Sequence, residues 1–165
     1  MVDAVNRNDC CGCEACAQVC PSRCIDMRED EEGFLFPKVY ASRCIKCGRC
    51  LKVCPARNKG IKRRPAACFA YRTKDVDLLQ KTSSGGFFTA AASKVLEAGG
   101  VVFGAAFNEK NEVVHGCVEC FEELDSLRRS KYVQSRIGDA FLNAGNFSQK
   151  AARCSFAVLP VKLRR

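Results

Sequence analysis

The sequence predicts an α+β chain in two parts, a small cysteine-rich module followed by a small, incomplete α/β domain. Three observations lead there. Eight of the fourteen cysteines fall in two runs of identical spacing, Cys10-x2-Cys13-x2-Cys16-x3-Cys20-Pro21 and Cys44-x2-Cys47-x2-Cys50-x3-Cys54-Pro55. A stretch rich in Gly, Pro and basic side chains, Asn58 to Pro65, follows them and reads as a linker. Beyond it the composition shifts to apolar runs of strand and helix length. The expected divisions are 1–62, 63–147 and a distinct tail at 148–165, within a length that suits a small metal module plus a modest second domain.

The cysteine runs carry the chemistry of the first part. A cubane cluster needs four thiolates converging from different directions, and this spacing, with its closing proline, is the ligand pattern for two 4Fe-4S clusters. Three cysteines at intervals of three wrap a loop around the core, and the fourth lies past a helical turn and faces away. Pro21 and Pro55 carry no N–H and fix φ, so each can end a short helix and turn the chain. Zinc sites also use C-x2-C pairs, but a zinc site has no use for two such extended runs. Residues Met1 to Asp9 show no basic segment leading into an apolar one, and no apolar run is long enough to span a bilayer. The expectation is therefore reduced, metal-bound cysteines in a cytoplasmic protein rather than a secreted disulfide scaffold.

The formal net charge of +9 invites a nucleic-acid partner. Two facts remove the invitation. Eight ligating thiolates around two oxidised cores add about −4, because coordinated thiols are deprotonated. Five of the positive charges, Lys150, Arg153, Lys162, Arg164 and Arg165, belong to the tail. The expected partners are a redox protein or a reduced cofactor acting as donor, with neither nucleic acid nor a membrane span.

Between the cysteine runs, Glu29 to Glu32 and Gly33 form an acidic turn between two strands, and Ile25, Met27, Phe34, Phe36 and Val39 are positioned to cover the clusters. Such an apolar wall limits solvent access and tunes redox potential. Two cysteine runs around a hairpin resemble the bacterial two-cluster ferredoxin fold over residues 9–55. In that fold the fourth cysteine of each run ligates the other cluster. The resemblance therefore assigns Cys10, Cys13, Cys16 and Cys54 to one cluster and Cys44, Cys47, Cys50 and Cys20 to the other, and it implies electron transfer.

In the second part, Ala67 to Tyr71 reads as a short buried strand with Cys68 in the core. Ser83-Ser84-Gly85-Gly86 leads into an Ala-rich helix that ends at Gly99 and Gly100. The small residues at its start suit an anion, with simple N-capping by Ser83 or Ser84 as the other reading. Gly100 to Phe107 and Glu112 to Cys120 read as a strand hairpin across Asn108 to Asn111. His115, the sole histidine, reads as a packing residue, and Cys117 and Cys120 point to opposite faces if both lie on the strand. Short helices follow over Glu122 to Leu127 and from Ile137 to Phe147.

The stretch KTSSGGFFTA, GGVVFGAAF, VVHGCVE and LRRSKYVQSRIGDAF resembles, in order and spacing, the N-terminal domain of the coenzyme F-420 hydrogenase and dehydrogenase beta-subunit family. The resemblance covers about residues 66–147, and members often carry a ferredoxin module in front. It implies a flavoprotein, an oxidoreductase relaying electrons between iron–sulfur clusters and an organic partner, with FAD as the expected flavin. Ser83, Ser84, Gly85 and Gly86 become flavin-contact candidates, joined by Lys131 and Tyr132; no catalytic residue is assigned.

The tail, SQKAARCSFAVLPVKLRR, departs from the family pattern. One added T in the codons of Phe147 and Ser148 converts the downstream reading into Phe-Ser-Glu-Ser-Gly-Lys-Val-Leu-Phe-Cys-Gly-Thr-Pro-Cys-Gln, which looks like the family's own continuation. Residues 148–165 are thus expected to be an out-of-frame tail, against the alternative of a natural short tail forming a last strand. The functional expectation is an iron–sulfur electron-transfer protein, a truncated relative of that family lacking its large catalytic domain. The alternatives are a non-functional fragment and a stand-alone carrier.

Overall fold

A computed structural model describes Val2 and residues 5–58, 67–149 and 154–156, those at 148–149 and 154–156 by their backbone. The chain divides into two units, Met1–Arg64 and Pro65–Arg165, and it is α+β. Among the described residues no helix is long and apolar enough to cross a membrane. The expected linker lies almost entirely outside the described residues, as does most of the tail.

The first unit runs α1 (Ala15–Gln18), β1 (Ile25–Glu29), β2 (Leu35–Val39), a 3-10 turn (Ala41–Arg43) and α2 (Arg49–Val53). The strands pair antiparallel, with Ile25 opposite Val39 and Glu29 opposite Leu35. Pro37 is tolerated in β2 because a two-stranded sheet consists only of edges, where a missing N–H wastes no ladder bond. The acidic run is a solvated turn held by Asp30, whose Oδ1 accepts from the N–H groups of Glu32 at 3.0 Å and Phe34 at 2.9 Å. Val2, Cys16, Cys24 and Ile25 form the buried centre, with Cys20, Cys44, Cys50 and Cys54 packed around it. Cysteine thus occupies much of the volume that aliphatic side chains fill in an ordinary core.

The second unit contains α3 (Val76–Lys81), α4 (Phe87–Glu97), β3 (Val101–Phe107), β4 (Val113–Val118), α5 (Leu124–Leu127), α6 (Ala140–Gln149) and β5 (Cys154–Phe156). The sheet order is β4-β3-β5, antiparallel between β3 and β4 and parallel between β3 and β5. Side chains alternate across a strand, so β3 serves two cores. Val102 packs with Ala92, Leu96, Leu124 and Leu127 on the α4 and α5 side. Val101 and Phe103 pack with Ile137 and Ala140 on the α6 side, where the Phe103 and Phe147 rings meet edge to face at 6.0 Å. A strand covered on both faces needs the uninterrupted apolar run seen in its sequence.

Helix α4 ends where the glycines stand. Gly99 takes a left-handed φ of +70°, its N–H bonds Leu96 O at 2.9 Å, and the Gly100 N–H bonds Val95 O at 2.9 Å, which is the Schellman pattern. The start differs from expectation. Gly86, at φ +82°, occupies the N-cap position, and neither Ser83 nor Ser84 caps the helix with its side chain. Helix α3 has no counterpart in the expected elements, although Asp75 caps it by accepting from the Leu78 N–H at 3.0 Å.

Two further expectations are corrected. Residues 67–71 form no strand and are exposed, with Phe69 90% accessible and Cys68 outside any core. The two sides of β3 are taken by β4 and β5, so this short run has no sheet edge to join there. Its continuation instead supports the glycine turn: the Thr73 N–H bonds Gly85 O at 2.8 Å, and Tyr71 packs edge to face on Phe87. Within the tail, Cys154–Phe156 is β5, paired parallel with β3.

Gly85 sits at φ +68° with its absent Cβ position only 2.4 Å from Tyr71 O, a backbone atom that cannot step aside. Gly85→Ala should cost at least about 2 kcal/mol, combining left-handed strain and the clash. Gly116→Ala, at a position with nothing within 4 Å, should be nearly neutral in the same urea titration. His115 supplies a pH test. Its Nδ1 shares a 3.0 Å hydrogen bond with Ser135 Oγ, and burial holds its pKa below the usual histidine value. A depressed pKa means that the unfolded chain binds the proton more tightly. Stability is therefore complete above about pH 6.5 and declines as pH falls through the folded-state value. Thermal unfolding of His115→Gln should lose that part of the pH dependence.

Candidate metal centres

The two cysteine runs fold alike. Gly12 and Glu14, two and four residues after Cys10, have φ of 59° each; Lys46 and Gly48, at the same offsets from Cys44, have 55° and 74°. Left-handed residues at close spacing build backbone nests, concavities of N–H groups that suit anionic clusters. At Glu14 and Lys46 the conformation costs about 1–2 kcal/mol each, because neither is glycine. Each turn feeds a short helix, α1 bearing Cys16 and α2 bearing Cys50.

Two cavities receive these cysteines. One, of about 470 Å³, is lined by Cys10, Cys13, Cys16 and Cys54 together with Cys11. The other, of about 270 Å³, is lined by Cys44, Cys47, Cys50 and Cys20 together with Cys24. The fourth cysteine of each run thus enters the cavity of the other run. Val39 is shared by both linings. Met27 and Phe36 face the first cavity and Ile25 the second, whereas Phe34 lines neither, contrary to its expected covering role. Phe34 is instead drawn into the hairpin turn through Asp30.

The electrostatics describe thiols that crowd one another. Burial, then the charge of Cys10, pushes the Cys16 thiol up to about 12, with Cys54 adding to the rise. Cys13 is also raised strongly, first by the Cys11 side chain and then by burial. Cys20 is the contrary case. Burial opposes its ionisation, but the Cys24 N–H at 3.4 Å and Ser22 Oγ at 3.6 Å hold its thiol below the ordinary value. Hydrogen bonds to sulfur of this kind help set cluster potentials.

Cys11 and Cys24 were not singled out by spacing. Cys24 is buried, with its sulfur 3.5 Å from that of Cys20. Its position four residues after Cys20 is a signal in hindsight. Asn58 is another such residue: its Nδ2 reaches the carbonyls of Leu51, Lys52 and Cys54 at 2.7, 2.8 and 3.1 Å and satisfies the open end of α2.

The donor set fits a polynuclear core. Among the described residues no three His, Cys, Asp or Glu side chains converge on a point suited to a single ion. The thiols of each set line one cavity, a lining that would fit a cubane core.

In the second unit, Ser83 Oγ lies 3.4 Å from Ser130 Oγ, and Arg129 Nε reaches Lys81 O at 3.5 Å. The structure therefore brings the Ser83–Gly86 turn beside the loop preceding Lys131. Lys131 itself is engaged elsewhere: Nζ donates to Arg128 O at 2.6 Å and Ser126 O at 3.1 Å, and burial lowers its pKa. Tyr132 is exposed. Cys117 is exposed on β4 and Cys120 lies in the bend beyond it.

Residues 9–58 match the family model of the 4Fe-4S dicluster domain. No curated protein matched the chain. The first unit therefore contains an iron–sulfur, ferredoxin-like module, and its role is electron transfer.

Asn58→Ala should remove the side-chain donor from the carbonyls of Leu51 and Lys52, while Cys54 O keeps the backbone N–H groups of Arg57 and residue 58, and destabilise that turn by about 1 kcal/mol. The expected readout is faster loss of iron to a chelator, with initial iron content unchanged.

Proposed function

We propose that the module carries two 4Fe-4S clusters, one held by Cys10, Cys13, Cys16 and Cys54 and the other by Cys44, Cys47, Cys50 and Cys20. The observation that carries this reading is the sorting of the eight cysteines into two cavities with the fourth ligands exchanged. Bound clusters supply reversible one-electron chemistry. The chain's own residues hold the thiolates, donate hydrogen bonds to Cys20 and wall off solvent with Met27, Phe36 and Val39.

The proposed context is a relative of the F-420 dehydrogenase beta-subunit family, in which the clusters exchange electrons with a flavin. The meeting of the Ser83–Gly86 turn with Ser130 supports this second reading, since it joins two stretches of the family-like sequence at one place. Flavin recovered with the purified chain, and its loss in Ser83→Ala/Ser84→Ala, would support it; colour due only to iron–sulfur clusters would overturn it. Residues 148–165 are proposed to be out of frame, which resequencing the gene decides.

Paired substitutions test the exchange of ligands. Anaerobically purified chain should hold about eight iron atoms, as two four-iron clusters require. Cys13→Ala/Cys54→Ala should remove one cluster and leave about four irons, whereas Cys47→Ala/Cys54→Ala should remove both. Reversal of these two results would show that each run binds its cluster unaided, and zinc in place of iron would overturn the cluster reading.

A further inference from the structure

The two cavities differ in what lies between them and solvent. The first is covered by the N-terminal segment: buried Val2 lines it, as does Arg7, whose guanidinium lies over the Phe36 ring at 4.8 Å from the centroid. The second is bordered by Ile45, Lys46, Cys47, Gly48 and Arg49. Cys47 is the exposed member of the eight ladder cysteines, and Ile45 beside it is 65% accessible. Electron tunnelling weakens exponentially with distance, so a partner gains most by approaching at Cys47.

Charge specifies the kind of partner. From residue 41 to residue 58 the chain carries Arg43, Lys46, Arg49, Lys52 and Arg57 and no carboxylate. All five are exposed, and among the described residues none is in an ion pair; Arg43 lies over the Tyr40 ring. The opposite sign gathers on the hairpin, where Asp26, Glu29, Asp30, Glu31 and Glu32 outnumber the two cations Arg28 and Lys38, and Glu29 borders the first cavity. An exposed apolar residue among charged ones has the makeup of a small transient interface, with an apolar centre and a polar rim.

We propose that the edge formed by Ile45, Lys46, Cys47 and Arg49 is the electron exit and docks an acidic electron-transfer protein. The proposal rests on the assignment of a cluster to the second cavity. A competing account gives the cations only the task of offsetting the cluster's own negative charge. That account predicts a changed potential and no preference between oppositely charged oxidants.

Stopped-flow oxidation of the reduced full chain separates them, with oxidised rubredoxin as an acidic probe and hexaamminecobalt(III) as a cationic one. Iron content and the EPR spectrum are measured first, so that a protein without clusters is recognised as a failure of the cluster assignment. In Lys46→Glu/Arg49→Glu the rate with rubredoxin should fall by about tenfold or more at low ionic strength while the rate with the cobalt complex rises. Both differences should shrink near about 0.5 M salt, where surface charges are screened. In Glu31→Lys/Glu32→Lys the rubredoxin rate should change by less than about twofold. An unchanged rubredoxin rate in the first variant overturns the proposal. So does an equal change with both probes, which marks an effect on potential, or a response to the hairpin variant as large as that to the first.

Discussion

Ionised thiols packed into one cavity repel each other, and the first unit has no reason to gather ten cysteines around two cavities unless something positive lies between them. The raised pKa of Cys16, driven by burial and by Cys10 and Cys54, expresses that cost directly. A core carrying positive charge would add an attraction to each thiolate that outweighs burial and mutual repulsion, because a coordinated thiol is deprotonated outright. The same groups, protonated and uncharged while their pKa stays raised, would then become cross-links of the unit. Bound cores would in this way couple metal binding to folding, as is common for small metal-dependent domains.

Other features of the unit serve that constraint. The left-handed residues at matching offsets in the two runs bend each loop so that three thiols turn to one side. The hairpin supplies an apolar wall, and its Val39 lies between the two sites. Helices of four and five residues have little stability of their own. In α2 the clamp from Asn58 ties the carbonyls of its C-terminal end. The second unit is built differently. Its strand β3 buries aliphatic and aromatic side chains on both faces, and the result is an ordinary hydrophobic core.

The legibility of the sequence followed the same division. Cysteine spacing reports ligand geometry, so the α+β module, the hairpin and the family match at residues 9–58 were all within its reach. The β3–β4 hairpin was visible for a different reason, a long apolar run, a turn and a second run. Short apolar runs carry no such information: Ala67 to Tyr71 has the composition of a strand, but pairing is decided by which edges remain, and here it lies exposed. The cap at Gly86 was hidden because serine is the commoner capping residue, while the close approach of Tyr71 O to Gly85 is a tertiary fact. Cys24 and Asn58 were missed because their partners become neighbours only once the turns close.

The crossing of the fourth cysteines between the cavities also has a mechanical meaning. Cys20 and Cys54 each stand in the cavity of the opposite run, so with cores in place the two halves of the module are laced together rather than stacked. Asn58 lies just beyond Cys54 and is tied to the carbonyls of α2. Tension arriving from the following chain would therefore reach Asn58 first, then Cys54, and through it the cavity built by the earlier run. Such a load is shared between both sites and would not peel one away from the other.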